Sequence, residues 1–128
     1  MTAEKAKTIL IVDDEPDVVT YLSSYFADQG YAVLTAKNGH EGFDLAKSKR
    51  PDLITLDITM PEESGVRMFR NLQENDATKN IPVVMITGIT KDFKGFIEHR
   101  KVVRPPEAYF EKPVDKDELL AKVRELIG

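Results

Sequence analysis

Leu53-Ile54-Thr55-Leu56-Asp57-Ile58-Thr59-Met60-Pro61 is a short apolar run that ends abruptly on one carboxylate. Leu53 to Leu56 read as a strand buried on both faces, because the run is continuous rather than alternating and has the β-branched content of a parallel-sheet strand. A charge is costly inside such a core, so Asp57 is expected to emerge at the strand's carboxyl end. Met60-Pro61 breaks the extension, since proline offers no amide to a ladder, and Gly65 gives the loop freedom to turn back into a helix. Taken alone, Asp57 is most simply the cap of that helix. The residues it keeps company with elsewhere in the chain argue for a chemical role instead.

Working outward, Thr8 to Val12 is a second continuous apolar run, and it too ends on acid, in Asp13-Asp14-Glu15. Pro16 suits the first turn of a helix, and Val18, Val19, Leu22 and Phe26 recur at helical spacing up to Gly30, a natural C-terminal cap. Tyr31 to Ala36 has strand composition, and Asn38 can cap a helix from Gly39 to about Ser48, with Glu41 in the capping-box position and Phe43 and Ala46 facing inward. Beyond Asp57, Val66, Phe69 and Leu72 give a helix to about Asn75. Ile81 to Thr87 is a fourth strand, followed by Gly88. The spacing of Phe93, Phe96 and Ile97 predicts a helix over Lys91 to Lys101, which Gly95 weakens and Arg104-Pro105-Pro106 ends irregularly. Ala108 to Glu111 is a short fifth strand broken by Lys112-Pro113. Asp115 and Glu118 then open an amphipathic helix on Leu119, Leu120, Val123, Leu126 and Ile127. Five strands alternating with five helical stretches predict an α/β fold, a doubly wound parallel sheet with helices on both faces. One domain is expected over residues 1–128, with its core over about residues 8–127.

The bulk composition narrows the chemistry. Net charge is −4 and the pI about 5.2, which disfavours nucleic acid and anionic membranes as direct partners. The absence of cysteine excludes disulfides, a thiolate nucleophile and a zinc-cysteine site. No apolar run approaches membrane-spanning length and no signal peptide is legible, so a cytoplasmic setting is the default expectation. His40 and His99 are single and far apart, and are read as surface residues; Tyr21, Tyr25 and Tyr31 are read as packing residues.

In an open parallel sheet, ligands gather outside the carboxyl ends of the strands. Those ends carry Asp13 and Asp14, Asp57, Thr87 and Lys112. Clustered carboxylates repel one another unless a cation neutralises them, and an oxygen-only donor set suits a hard divalent ion, Mg²⁺ more than Ca²⁺. A metal half-coordinated by protein leaves room for phosphate oxygens, which Lys112 and the Thr87 hydroxyl can meet, with Gly88 leaving the approach open. Asp57 would then be the nucleophile, forming an acyl phosphate. Singly, each residue has a plain structural reading: a solvated helix start, an exposed lysine, the last residue of a strand. Their joint placement at strand ends is what those readings leave unexplained.

On Ile11-Val12-Asp13-Asp14-Glu15, Asp57 with Met60-Pro61 and Gly65, Thr87-Gly88 and Lys112-Pro113, the chain resembles the response-regulator receiver domains of two-component signalling, of the chemotaxis-regulator type. The resemblance runs from Thr8 to the last helix. It implies a flavodoxin-like fold with strand order 2-1-3-4-5 and phosphoryl transfer to Asp57 from a phosphohistidine on a sensor histidine kinase or a histidine phosphotransfer protein. Mg²⁺ is implied on Asp13, Asp14, Asp57 and the backbone carbonyl of Thr59. Thr87 and Tyr109 are implied as a switch pair, Lys112 as the contact to phosphoryl oxygens, and the Lys112-Pro113 peptide as cis. It further implies a phosphoacceptor rather than a turnover enzyme, a downstream protein target, and a monomer or weak phosphorylation-dependent dimer. Gly88 to Glu107 departs from the family's usual pattern. A dehalogenase-like phosphatase would place a second acid where Thr59 stands, and a flavodoxin-like carrier would need a Ser/Thr/Gly phosphate loop where Asp13-Asp14-Glu15 stand. A receiver-like domain that never accepts phosphate is the third alternative, and the intact acidic and basic set speaks against it. The chain stops after its last helix with no output module, so a free-standing regulator is expected, with a receiver cut from a longer protein as the alternative.

Overall fold

The computed structural model describes residues 6–88 and 106–128. Five strands, β1 (Thr8–Val12), β2 (Ala32–Ala36), β3 (Leu53–Leu56), β4 (Val83–Thr87) and β5 (Ala108–Glu111), form one parallel sheet in the order β2-β1-β3-β4-β5. The helices among the described residues are α1 (Pro16–Asp28), α2 (Gly39–Lys49), α3 (Ser64–Glu74) and α4 (Lys116–Ile127), with a 3-10 turn over Pro61–Glu63. The helix expected over residues 91–101 lies outside the described residues. None of the described helices is long and apolar enough to cross a membrane.

The alternation of the strand side chains sorts the core into two layers. Ile9, Ile11, Leu53, Val84 and Ile86 pack against Leu22 and Phe26 of α1 and Leu119, Leu120 and Val123 of α4. Leu10, Val12, Ile54, Leu56, Val83 and Met85 pack against Ala46 of α2 and Val66, Met68, Phe69 and Leu72 of α3. The three central strands are covered on both faces, which is why their sequences read as unbroken apolar runs. Each fully buried Leu, Ile or Phe contributes about 1.5–3 kcal/mol relative to an exposed one, and the two layers together clamp the sheet.

The helix signals act locally much as expected. The Asn38 side chain accepts from the Glu41 amide at 2.8 Å, and Asp115 accepts from the Asp117 and Glu118 amides at 2.9 and 3.1 Å. Glu41 reaches back to the Lys37 amide at 3.3 Å instead of that of the capping residue. Gly30, at φ +96, takes the left-handed conformation that ends α1. Two strands start later than their composition suggests. The Tyr31 amide is still held by the Phe26 carbonyl and that of Ile81 by Thr78, so neither joins the ladder. Tyr21 differs from expectation too: Tyr31 is buried and Tyr25 half-buried, but Tyr21 is 49% exposed on the outer side of α1.

Candidate functional site

Register builds the site. Val12 pairs with Leu56 across β1 and β3, so the next residues, Asp13 and Asp57, leave the sheet side by side, and the Asp57 amide donates to the Val12 carbonyl at 2.9 Å. Val12 pairs equally with Ala36, and the Asp13 amide donates to the Ala36 carbonyl. On the far side Thr87 pairs with Glu111, and the amide of Lys112 donates to the Thr87 carbonyl at 2.9 Å. Four strands thus deliver polar residues to one rim. The peptide between Lys112 and Pro113 is cis.

The Lys112 ammonium lies 2.9 Å from Asp13 Oδ2 and 3.2 Å from Asp57 Oδ2, and it also bonds Glu15 Oε1. Asp13 and Asp57 are almost wholly buried, at 3% and 1% exposure, whereas Asp14 is exposed. Each of these three aspartates offers an oxygen within 4.8 Å of the other two, making a three-acid cluster among the described residues. One ammonium against three clustered carboxylates leaves an excess of negative charge. Burial pushes the Asp13 carboxyl above its usual 3.8; hydrogen bonds from the Glu15 amide and Lys112 oppose the rise, and the charge of Asp57 adds to it. For Lys112, burial disfavours the charged form, but hydrogen bonds to Glu15 and Asp13 and the charges of Asp57 and Asp13 outweigh it and hold the ammonium above its usual 10.5. The donor set is oxygen only, partly buried and open on the Asp14 side, which fits a hard divalent cation that keeps some of its water.

The remaining expected residues fall around this centre. Thr87 is buried at the end of β4. Tyr109 is half-buried on β5, paired with Met85 two positions before Thr87. Thr59 engages Asp57 with backbone and side chain alike: its amide and its hydroxyl both donate to Asp57 Oδ1, at 2.8 and 2.6 Å. Gly65 serves a purpose other than loop freedom. A Cβ there would lie 2.4 Å from the Asp57 carbonyl oxygen and 2.7 Å from Ile58 Cα, so its lack of a side chain lets α3 start directly beneath the site. A Cβ on Gly88 would meet nothing within 4 Å among the described residues. His40 is exposed beside Asp44; His99 lies outside the described residues. Glu15 joins the site without having been expected there. Its only signal in sequence is its place as the third acid of the run.

Comparison with known proteins agrees with this geometry. The family model of the response regulator receiver domain matches residues 9–124. The chain is 34% identical over 120 residues to protein PilH of Pseudomonas aeruginosa, covering 94% of this chain and 97% of that one. It is 32% identical over 122 residues to the polar-differentiation response regulator DivK of Brucella anthropi, covering 95% and 97%. Among solved structures, the chemotaxis protein CheY4 of Vibrio cholerae superposes with a TM-score of 0.84 at 27% identity, covering 95% of this chain and 99% of that one. With the acids that follow β1 and β3 and the lysine that follows β5 meeting on a 2-1-3-4-5 sheet, and with this match over nearly its whole length, the chain belongs to the response regulator receiver domain family.

Proposed function

We propose that this chain is the phosphoacceptor switch of a two-component or phosphorelay system, taking a phosphoryl group onto Asp57 from a phosphohistidine of a sensor histidine kinase or a histidine phosphotransfer protein. The observation that carries the reading is the meeting of the Lys112 ammonium with the carboxylates of Asp13 and Asp57, beside Asp14. In the transfer a carboxylate oxygen of Asp57 bonds to phosphorus while the phosphorus–nitrogen bond of the donor breaks. The imidazole nitrogen keeps that electron pair and its protonation balance is made up from water. Asp13, Asp14, Asp57 and the backbone carbonyl of Thr59 would hold Mg²⁺. When bound, the ion neutralises the clustered carboxylates and makes phosphorus more electrophilic.

Lys112 then takes up charge on the transferred oxygens, and the Thr87 hydroxyl donates to another of them. Tyr109 is the second half of the switch, since a hydroxyl drawn toward the site from the end of β4 alters the packing available to the neighbouring ring on β5. The altered surface around β4 and β5 is where a downstream protein would read the state, with the chain acting as a monomer or a weak phosphorylation-dependent dimer and not itself contacting nucleic acid. Turnover on external phosphoesters is not part of the reading. Thr59 stands where a phosphatase of the dehalogenase type needs an acid, and its hydroxyl is already committed to Asp57. Self-phosphorylation from small donors and slow self-dephosphorylation are the only reactions the chain would perform unaided.

Acetyl phosphate with Mg²⁺ is expected to add one phosphoryl mass to the wild-type chain and none to Asp57→Asn. Equal labelling of the two by intact mass would end the assignment.

A further inference from the structure

Glu15 occupies the N-cap position of α1, yet its side chain makes no capping bond. It turns away from the helix whose positive end would favour it and bonds the ammonium of Lys112, a residue 97 positions further along the chain. Its backbone is committed to the same centre, because the Glu15 amide donates to Asp13 Oδ1 at 2.8 Å. Lys112 is therefore shared three ways, between two nearly inaccessible carboxylates and one whose side chain is 59% exposed. Of the three, only Glu15 can withdraw into solvent without leaving a buried charge behind.

We infer that Glu15 is a positioning residue that holds Lys112 in the unphosphorylated chain and yields it when a phosphoryl group arrives. The inference rests on the function proposed above for Asp57 and adds a residue and a direction to it. In the resting state Glu15 draws the ammonium outward and adds one more negative charge near the three aspartates, so it favours entry of a divalent cation. Once that cation is in place, the same carboxylate competes with the incoming phosphoryl oxygens for Lys112 and repels them. Glu15 thus helps the metal and opposes the transfer. A surface ion pair that only steadied the start of α1 would do neither.

The test uses the full chain as wild type, Glu15→Gln and Glu15→Ala. Mg²⁺ affinity is read from backbone amide shifts without donor, and the initial phosphorylation rate from intact mass with phosphoramidate at saturating Mg²⁺. Loss of an ion pair whose carboxylate is largely exposed is expected to weaken Mg²⁺ binding about two- to fivefold and to raise the rate at saturating Mg²⁺ by a similar factor, in both variants. An unchanged or slower rate at saturating Mg²⁺, or an unchanged or tighter Mg²⁺ affinity, overturns the role of Glu15. If the wild type takes up no phosphoryl group, the assignment of Asp57 fails first and this inference falls with it. A phosphorylated wild type with unaltered variants removes Glu15 alone.

Discussion

The two oxygens of Asp57 are held differently. Oδ1 accepts twice from Thr59, while Oδ2 faces Lys112 at 3.2 Å. Hydrogen bonds to a charged group contribute about 1.5–3 kcal/mol, so Thr59→Val is expected to lower unfolding stability by roughly 1.5 kcal/mol or more, while Thr59→Ser stays near wild type. Denaturant titration of the two decides it, and equal stability of all three chains would show that the hydroxyl does not hold the carboxylate. Lys112→Ala is expected to keep Mg²⁺ binding, since the aspartate donors remain, and to weaken the coupling of phosphorylation to conformational change. Backbone amide shifts report that coupling, and an unaltered pattern of phosphorylation-induced shifts counts against the role. At this scale the buried members of the site were legible, because a charge that closes a buried apolar run must find a partner at the rim of the sheet. Glu15 and the Thr59 hydroxyl were not: an exposed glutamate at a helix start and a threonine in a loop each have an ordinary local use, and only the folded register brings Lys112 to Glu15.

The elements meet at two glycines. A Cβ on Gly39 would come within 2.0 Å of the Ser64 carbonyl oxygen, and one on Gly65 within 2.4 Å of the Asp57 carbonyl oxygen. Both close contacts are with backbone, which cannot rotate away, so Gly39→Ala and Gly65→Ala are each expected to cost about 1–3 kcal/mol by overpacking. They differ in consequence. Gly65→Ala pushes directly on the backbone that carries Asp57, the proposed phosphoacceptor, so its phosphorylation rate from small donors should fall well below that of Gly39→Ala at equal fraction folded. Indistinguishable rates would show that the loop absorbs the displacement. Sequence placed Gly65 at the right turn for the wrong reason, since composition signals flexibility but not the distance between a helix and the strand beneath it. Strand starts were misread for a related reason: Tyr31 and Ile81 have strand character, but their amides are already engaged by the preceding turns.

Across the whole molecule, the charge pattern sets the response to pH. Lys112 has its folded pKa raised above 10.5, so its contribution to stability is complete below about that pH and is lost as pH rises through the folded value. Asp13, also raised, contributes most below 3.8 and loses that contribution as pH rises through its folded value. In chelator, wild-type stability is therefore expected to fall more steeply than that of Lys112→Met as pH is raised from about 9 to about 12, as read by denaturant midpoints; parallel curves would contradict the shared ammonium. The sheet was the most legible feature at this scale, because central strands buried on both faces leave continuous apolar runs and the crossovers between them fix the handedness. The strand order came from resemblance to a family, not from periodicity, since nothing in an apolar run says which neighbour it pairs with. The central claim is that phosphorus ends on the carboxylate of Asp57 and on no other oxygen. Borohydride reduction after treatment with phosphoramidate and Mg²⁺ tests it most directly, because it converts an acyl phosphate of aspartate to homoserine. Peptide mapping is predicted to find homoserine at position 57 alone; homoserine at 13 or 14, or a reduction-resistant phosphate on Thr59 or Thr87, would contradict it.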